Sequence, residues 1–383
     1  MDRGSTGLDS MRACGGRRRI VSVVGTRPEA IKMAPLIRAI ARQPRFAQEI
    51  ILTGQHRALA GMFESAAVTD LACDPRGRTP PRLRETMHRA INRHLRISGA
   101  DLVLVQGDTA SAFAGALAAR ACGIPVGHVE AGLRSFDIKQ PWPEEGNRTA
   151  IDAISDLLFA PTDAAAANLA AEWRVKGKVF VTGNTGIDAL LQARGPQPSR
   201  LYERSDKVLL VTCHRKENQG EPLRAICAAL RRLVRELPLT MVLPLHPNRH
   251  VRRELEGLVG DEPCIRLVEP LEHGEMVRLM DESWAILTDS GGLQEEGPAL
   301  GKPVLVMRNV TERGEGVATD NIELVGTQTA GIFAAVERLL AEPERYARMS
   351  RPSFPFGDGR ASERIVAAIG EWFAAADRRR RLG

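Results

Sequence analysis

Glu130, Asp137, Glu144 and Glu145 fall between Gly123 and Arg148, interleaved with His128, Arg134, Trp142 and Arg148. Carboxylates gathered this closely are suited to taking and returning protons. The apolar run from Ile124 to Val129 that leads into Glu130 reads as a buried strand of a parallel sheet. Ligands of open α/β sheets bind beyond the carboxyl ends of such strands, so these acids are placed for chemistry. A solvated, salt-bridged loop is the competing reading of the stretch taken alone.

The same placement recurs along the chain. Asp108 follows the run DLVLVQ, His214 follows VLLVT and His246 follows MVLPL. His214, flanked by Arg215 and Lys216, is suited to phosphate contact or proton transfer. Ser290-Gly291-Gly292 follows WAILTD at the start of a helical pattern, where orphan N–H groups and the helix dipole favour an anion. Glu295 and Glu296, one turn on, are spaced to accept from vicinal sugar hydroxyls; an N-capped tight turn with first-turn acids is the structural alternative. GxGxxG and GxxxxGK[ST] are both absent from the sequence, which counts against NAD and ATP phosphate loops. By position, Arg27, Lys32, Asp108, Glu130, Glu144, His214 and Ser290 are presented toward one cleft.

The elements that must carry these residues alternate between strand and helix patterns. RIVSVVG precedes the helix TRPEAIKMAPLIRAIARQ, DLVLVQ precedes an Ala-rich helix from Ser111 to Cys122, and DLLFA and KVFVT follow. Such alternation argues for βαβ units and a parallel sheet. Residues 69–81 read as a polar, proline-rich loop, and 82–97 as an exposed, Arg-rich helix. GPQPSRLYERS, from Gly195, breaks the pattern and reads as an interdomain linker, after which the alternation starts afresh. Two helices, around 330–349 and 361–376, end the chain. The division expected is a disordered leader at 1–18, one Rossmann-like domain at 19–194 and a second at 195–363, with a helix at 364–383 returning to the first.

A chain of 383 residues can hold two or three domains with full cores. The net charge of +6 lies at the two ends, where Arg-rich segments flank a balanced body, so no basic stripe for nucleic acid is expected. No apolar run reaches the ~18 residues that span a bilayer. The first nineteen residues lack an apolar signal core, and the cytoplasm is the expected compartment. Six cysteines are scattered with no CxxC and no zinc-spaced His, so no metal site is expected.

Taken in order, GTRPEAIKMAPL, TGQH, QGDT, GHVEAGLR, PWPEEGNRT, TGNTGIDAL, LTDSGGLQEE, GKPVLVMR and TER resemble the non-hydrolysing UDP-N-acetylglucosamine 2-epimerases of bacteria. The resemblance runs from about Arg19 to Ile369. It implies an α/β fold of two Rossmann-like domains, GT-B-like, with the UDP-sugar in the interdomain cleft. It implies a homodimer that interconverts UDP-GlcNAc and UDP-ManNAc for cell-surface polysaccharide precursors, with no redox cofactor and no required metal. The family inverts C2 by eliminating UDP to a 2-acetamidoglucal and adding it back. Asp108, Glu130 and Glu144 match its catalytic carboxylates, and Arg148 and His214 match nearby essential residues. Arg27, Lys32, His214, Ser290, Gly291, Gly292 and Arg313 match the UDP-binding set, with Glu296 on the ribose.

The chain departs from the pattern in places. TERPE of the family is TERGE here, which places Gly314 after Arg313, and Met276 stands where many members have an aromatic near the uracil. Gln55 and His246 of a second, activating nucleotide-sugar site are kept, whereas residues 69–82 lack its pattern. Three other readings share the nucleotide grip: a 2-epimerase of UDP-2,3-diacetamido-glucuronate, a GT-B glycosyltransferase and a UDP-sugar sensor. The intact GTRPEAIK favours retention of UDP over the hydrolysing epimerases.

Overall fold

Apolar, β-branched runs bounded by turns become parallel strands buried on both faces. In the computed structural model, which describes residues 16–54, 57–63, 66–73, 79–139, 141–195, 207–213, 218–245, 249–311 and 313–382, they form two sheets. The first contains β1 (Arg18–Val24), β2 (Phe46–Leu52), β3 (Ala67–Asp70), β4 (Leu102–Gln106), β5 (Val126–Val129), β6 (Leu157–Ala160) and β7 (Lys178–Val181). Its order is β3-β2-β1-β4-β5-β6-β7, with α1 (Arg27–Ala41), α2 (Pro80–Ser98), α3 (Ala110–Ala121), α4 (Glu144–Ile154) and α5 (Asp163–Ala171) as crossovers. The second contains β8 (Val208–Thr212), β9 (Thr240–Pro244), β10 (Ile265–Val268), β11 (Ala285–Thr288), β12 (Val304–Val306) and β13 (Ile322–Leu324), in the order β10-β9-β8-β11-β12-β13. Its helices are α6 (Thr185–Ala193), α7 (Glu221–Glu236), α8 (Arg249–Val259), α9 (His273–Glu282), α10 (Gly291–Ala299), α11 (Gly314–Val317), α12 (Thr329–Ala341) and α13 (Pro343–Met349). The last helix is α14 (Ala361–Leu382).

In both sheets the order reverses once, between β1 and β4 and between β8 and β11. The crevice at such a reversal is where open α/β sheets bind ligands, so the segments leaving β1 and β4 in the first sheet, and those leaving β8 and β11 in the second, are each placed to carry functional residues.

The chain divides into two compact units, Met1–Thr185 with Arg360–Gly383, and Gly186–Gly359. In the first, Ile20 and Val24 of β1 face a core containing Met33, Leu36 and Ile40 of α1 and Ile365, Ile369 and Phe373 of α14. Val21 and Val23 face the opposite core with Ala112, Ala116, Met87 and Ile91, as the two-residue period of a strand requires. In the second, Leu209 and Val211 face one core, Val208 and Leu210 the other.

Four features differ from the sequence expectations. The division falls at residue 185 rather than 194, because Ile187 and Leu190 of α6 are buried in the core of the second unit. Part of the expected polar loop is a strand, β3, whose half-exposed AVTD carries too few apolar residues to register as one. The helical stretch around 330–349 is two helices, because Pro343 has no N–H to continue α12. Arg18, expected in the leader, already belongs to β1. The rest of the leader up to residue 15 and most of the expected linker, 196–205, lie outside the described residues.

Candidate active site

The chain leaves β1 through Gly25, where a Cβ would lie 1.8 Å from Ser111 Oγ and 2.7 Å from Thr53 Oγ1. Only glycine fits there, and this lets the β1–α1 turn sit against the start of α3. Thr26 caps α1 and forms a reciprocal box with Glu29. The buried Glu29 carboxylate accepts from Gly25 N at 3.2 Å, Thr26 N at 2.6 Å and Thr109 Oγ1 at 2.7 Å. Burial pushes its carboxyl above the usual range, while hydrogen bonds led by the one from Thr109 pull the other way. Glu29 thereby ties the turn carrying Arg27 and Lys32 to the turn that follows β4.

Glu130 leaves β5 in the left-handed region, φ 67°. A non-glycine residue held there costs ~1–2 kcal/mol, and such strain gathers at functional sites. Its carboxylate is gripped from several sides. Lys32 Nζ donates to Oε1 at 2.7 Å and to Oε2 at 2.8 Å, and Asn184 Nδ2 donates to Oε1 at 3.1 Å. Gln106 Nε2 donates to Oε2. Both oxygens are therefore engaged by donors, which holds the group as an oriented anion.

Asp108 stands beyond β4 in a different environment. Arg148 Nε donates to Oδ2 at 3.1 Å and Nη2 donates to the same oxygen, while Asn147 Nδ2 donates to the Asp108 carbonyl at 2.8 Å. Oδ1 has no hydrogen-bond or ion-pair partner among the described residues, and the side chain is 26% exposed. Arg148 is itself buried and pairs with Glu145 at 3.3 Å, whose Oε2 also accepts from Ser135 N at 3.1 Å. Glu144 opens α4, where the dipole favours a carboxylate, and is half-buried. The first unit thus brings together Lys32 with Glu130 and Asp108 with Arg148, and sets Glu144 at the head of the helix that carries Arg148. Asp137, by contrast, is exposed on the connecting loop.

In the second unit, Asp289 joins the ends of β8 and β11. Its backbone N–H donates to Thr212 O at 3.2 Å, and its buried carboxylate accepts from Asn218 Nδ2 at 3.0 Å. Burial foremost, with Asp289 adding to it, pushes the Cys213 thiol far up, which disfavours the thiolate. Ser290 is the N-cap of α10 by backbone geometry, and its hydroxyl makes no capping bond among the described residues. Arg313 is folded back over this helix start: a Cβ at Gly291 would lie 2.8–3.1 Å from the guanidinium atoms. Glu295 Oε1 accepts from Arg313 Nε at 2.7 Å and holds it there, with both residues buried. A cation is unfavourable at a helix N-terminus by itself, so the guanidinium and the N–H ends of the first turn together are suited to an anion.

Arg27 is the first residue of α1, half-buried at the same turn. Glu296 is half-buried, and Gly292 lies in the first turn of α10. Met276 sits in the first turn of α9, packed at the margin of an apolar core. Gly314 is exposed, opens α11, and has open space around its Cβ direction. Gln55, His214 and His246 lie outside the described residues. Sequence reasoning missed the work of Glu29, Asp289 and Glu295, which brace functional segments. The one signal it held was the capping spacing Thr26 to Glu29.

The family model described as UDP-N-acetylglucosamine 2-epimerase matches residues 38–370. The UDP-N-acetylglucosamine 2-epimerase of Bacillus subtilis (strain 168) is 42% identical over 359 residues, 92% of this chain and 94% of the relative. The crystal structure of UDP-GlcNAc 2-epimerase from Neisseria meningitidis bound to UDP-GlcNAc superposes with a TM-score of 0.87 at 38% identity, covering 92% of this chain and all of that one. The S. aureus MnaA–UDP co-structure gives a TM-score of 0.87 at 39% identity, covering 93% and 97%.

Proposed function

Because the chain belongs to the UDP-N-acetylglucosamine 2-epimerase family, we propose that it interconverts UDP-GlcNAc and UDP-ManNAc by eliminating UDP and adding it back. The observation that carries the reading is a likeness of about 40% identity running through both units, with the two differently held carboxylates intact. The C2–H bond breaks, its electrons form the C1–C2 double bond, and the C1–O bond to UDP breaks. The proton then returns to the other face of C2 as UDP re-adds at C1. Asp108 is the better-placed base, since Arg148 orients it through Oδ2 and leaves Oδ1 open. Glu130, by way of the Lys32 ammonium that donates to it, and Glu144 are the groups for returning a proton to the opposite face. Acid–base catalysis of this kind supplies ~10²–10⁴-fold, so stabilising the departing diphosphate must supply much of the remainder. Arg313, Ser290 and the glycines at the head of α10 are suited to that work, with Arg27 and His214 as further phosphate contacts and Glu296 toward the ribose.

We further propose a homodimer acting in the cytoplasm on a UDP-sugar and feeding a cell-surface polysaccharide precursor. No helix among the described residues is long and apolar enough to cross a membrane. The test is an incubation with UDP-GlcNAc in D₂O without added NAD or metal, read by anion exchange and proton NMR. UDP-ManNAc with deuterium at C2 is expected. Product without deuterium would refute the elimination, and free ManNAc would favour a hydrolysing enzyme. Turnover confined to the diacetamido-uronate would change the substrate and keep the chemistry.

A further inference from the structure

Beneath the carboxylates lies a polar network that the chemistry above does not use. His128 and Asp152 are both fully buried, at 0% exposure. His128 Nε2 donates to the Gly107 carbonyl at 2.8 Å, and Nδ1 lies 2.6 Å from Asp152 Oδ1 with one proton held between them. Asp152 Oδ2 accepts from Gly132 N at 3.2 Å and pairs with Arg134 Nη2 at 2.7 Å.

The ends of this network are specific. Gly107 immediately precedes Asp108. His128 lies two residues before Glu130 and Gly132 two residues after it. Asp152 therefore holds the chain on both sides of Glu130, and His128 joins that grip to the turn of Asp108. The backbone in between is left-handed at three points, Gly107 at φ 64°, Glu130 at 67° and Gly132 at 85°. Backbone bonds hold them in part, Gly107 N–H to Val129 O at 2.9 Å and Ala131 N–H to Phe159 O at 3.1 Å, and the carbonyl of Gly107 and the N–H of Gly132 are left for side chains to fix. An ion pair buried only for stability is a poor bargain against apolar packing, which favours a geometric task here.

Resting on the epimerase reading, we propose that Asp152, acting through His128, is a positioning residue that sets the Asp108 and Glu130 carboxylates relative to each other. Elimination and re-addition each need a proton moved at C2, on opposite faces. A misplaced pair would slow turnover and let the glycal leave before it is protonated, without loosening UDP.

Two substitutions of His128 separate its two bonds. His128→Asn keeps a donor at the position of Nδ1 toward Asp152 and loses the Gly107 bond. His128→Gln keeps the Gly107 bond and loses Asp152. With UDP-GlcNAc, His128→Asn and Asp152→Asn are each expected to lower kcat ~10–100-fold with KM within about threefold, and to release free 2-acetamidoglucal visible by NMR. His128→Gln should recover part of kcat relative to His128→Asn. The double variant Asp152→Asn/His128→Asn should be no slower than the worse single, since the residues act as one unit. If Asp152→Asn fails to fold, the two His128 variants decide. Melting lowered with kcat unchanged, or equal kcat for the two His128 variants, would overturn the proposal while leaving the epimerase intact. A parent protein that makes no epimer would instead sink the functional reading.

Discussion

Replacing Lys32 by methionine should remove a buried countercharge from the Glu130 carboxylate. The pair is well buried, with side-chain exposures of 20% for Lys32 and 6% for Glu130, so solvent screens it little. Removing one partner of a buried ion pair costs about 3–5 kcal/mol because the other charge is left uncompensated. Gln106 and Asn184 still donate to the carboxylate, which places the expected cost near the lower bound, about 3 kcal/mol. The first unit holds roughly 200 residues, for which each kcal/mol moves the melting temperature by about 2–4 °C, so its transition should fall by about 6–12 °C. Adding Glu130→Gln removes that uncompensated charge and keeps one acceptor oxygen, while its new NH2 calls for Gln106 or Asn184 to turn its own carbonyl toward it. The double variant should therefore melt above Lys32→Met and recover at least half of the loss. Calorimetry at neutral pH reads both numbers. A single variant melting within about 2 °C of the parent, or a double variant melting below the single, would refute the reasoning.

Further outcomes follow from other contacts. Glu295→Gln weakens the hold on Arg313 and should raise the UDP dissociation constant roughly tenfold by titration calorimetry, as expected for one charge-assisted hydrogen bond. Gly25→Ala drives a methyl into Ser111 and Thr53 and should cost about 3 kcal/mol or more, with only partial recovery when Ser111→Ala is added. His128 and Arg134 hold the Asp152 carboxyl below its ordinary value of 3.8 against the opposing effect of burial, so its share of stability is complete above that value. That share is lost as pH falls through the lower folded-state value; acid titration of stability should show this loss below about pH 4, and Asp152→Asn should remove it.

The strands were legible because parallel strands buried on both faces are near-continuous apolar runs, and their sequence order alone pointed to the acids at their ends. Pairing was not legible. Nothing local says that Arg148 turns to Asp108 and Glu145, or that Arg134 instead serves Asp152 and Glu172. The charged stretch after Glu130 held both of the meanings considered for it: Arg134 belongs to a buried salt-bridged network, whereas Arg148 reaches a candidate catalytic acid. Helix α4 hid inside it because its N-cap is Pro143, which offers no side-chain oxygen to announce a helix start. Glu295 and Glu296 are equivalent in sequence, and only burial separates the brace of Arg313 from its neighbour. The left-handed Glu130 could not be read at all, since a glutamate carries no signal for a conformation that tertiary bonds impose.

The return of α14 to the first unit bears on how the protein is made. Residues Met1–Thr185 leave the ribosome first, yet Ile365, Ile369 and Phe373 belong to the same core as Ile20, Met33 and Ile50. At synthesis rates of about 5–20 residues per second, the intervening Gly186–Gly359 takes roughly 10–35 s to appear. During that interval the face of α1 awaiting α14 stays wet, while the contiguous second unit can close its own sheet without waiting. The unit encoded second is thus free to finish first. The nascent chain carries an apolar surface on its first unit until α14 emerges, and in that interval the surface is open to aggregation or to capture by chaperones.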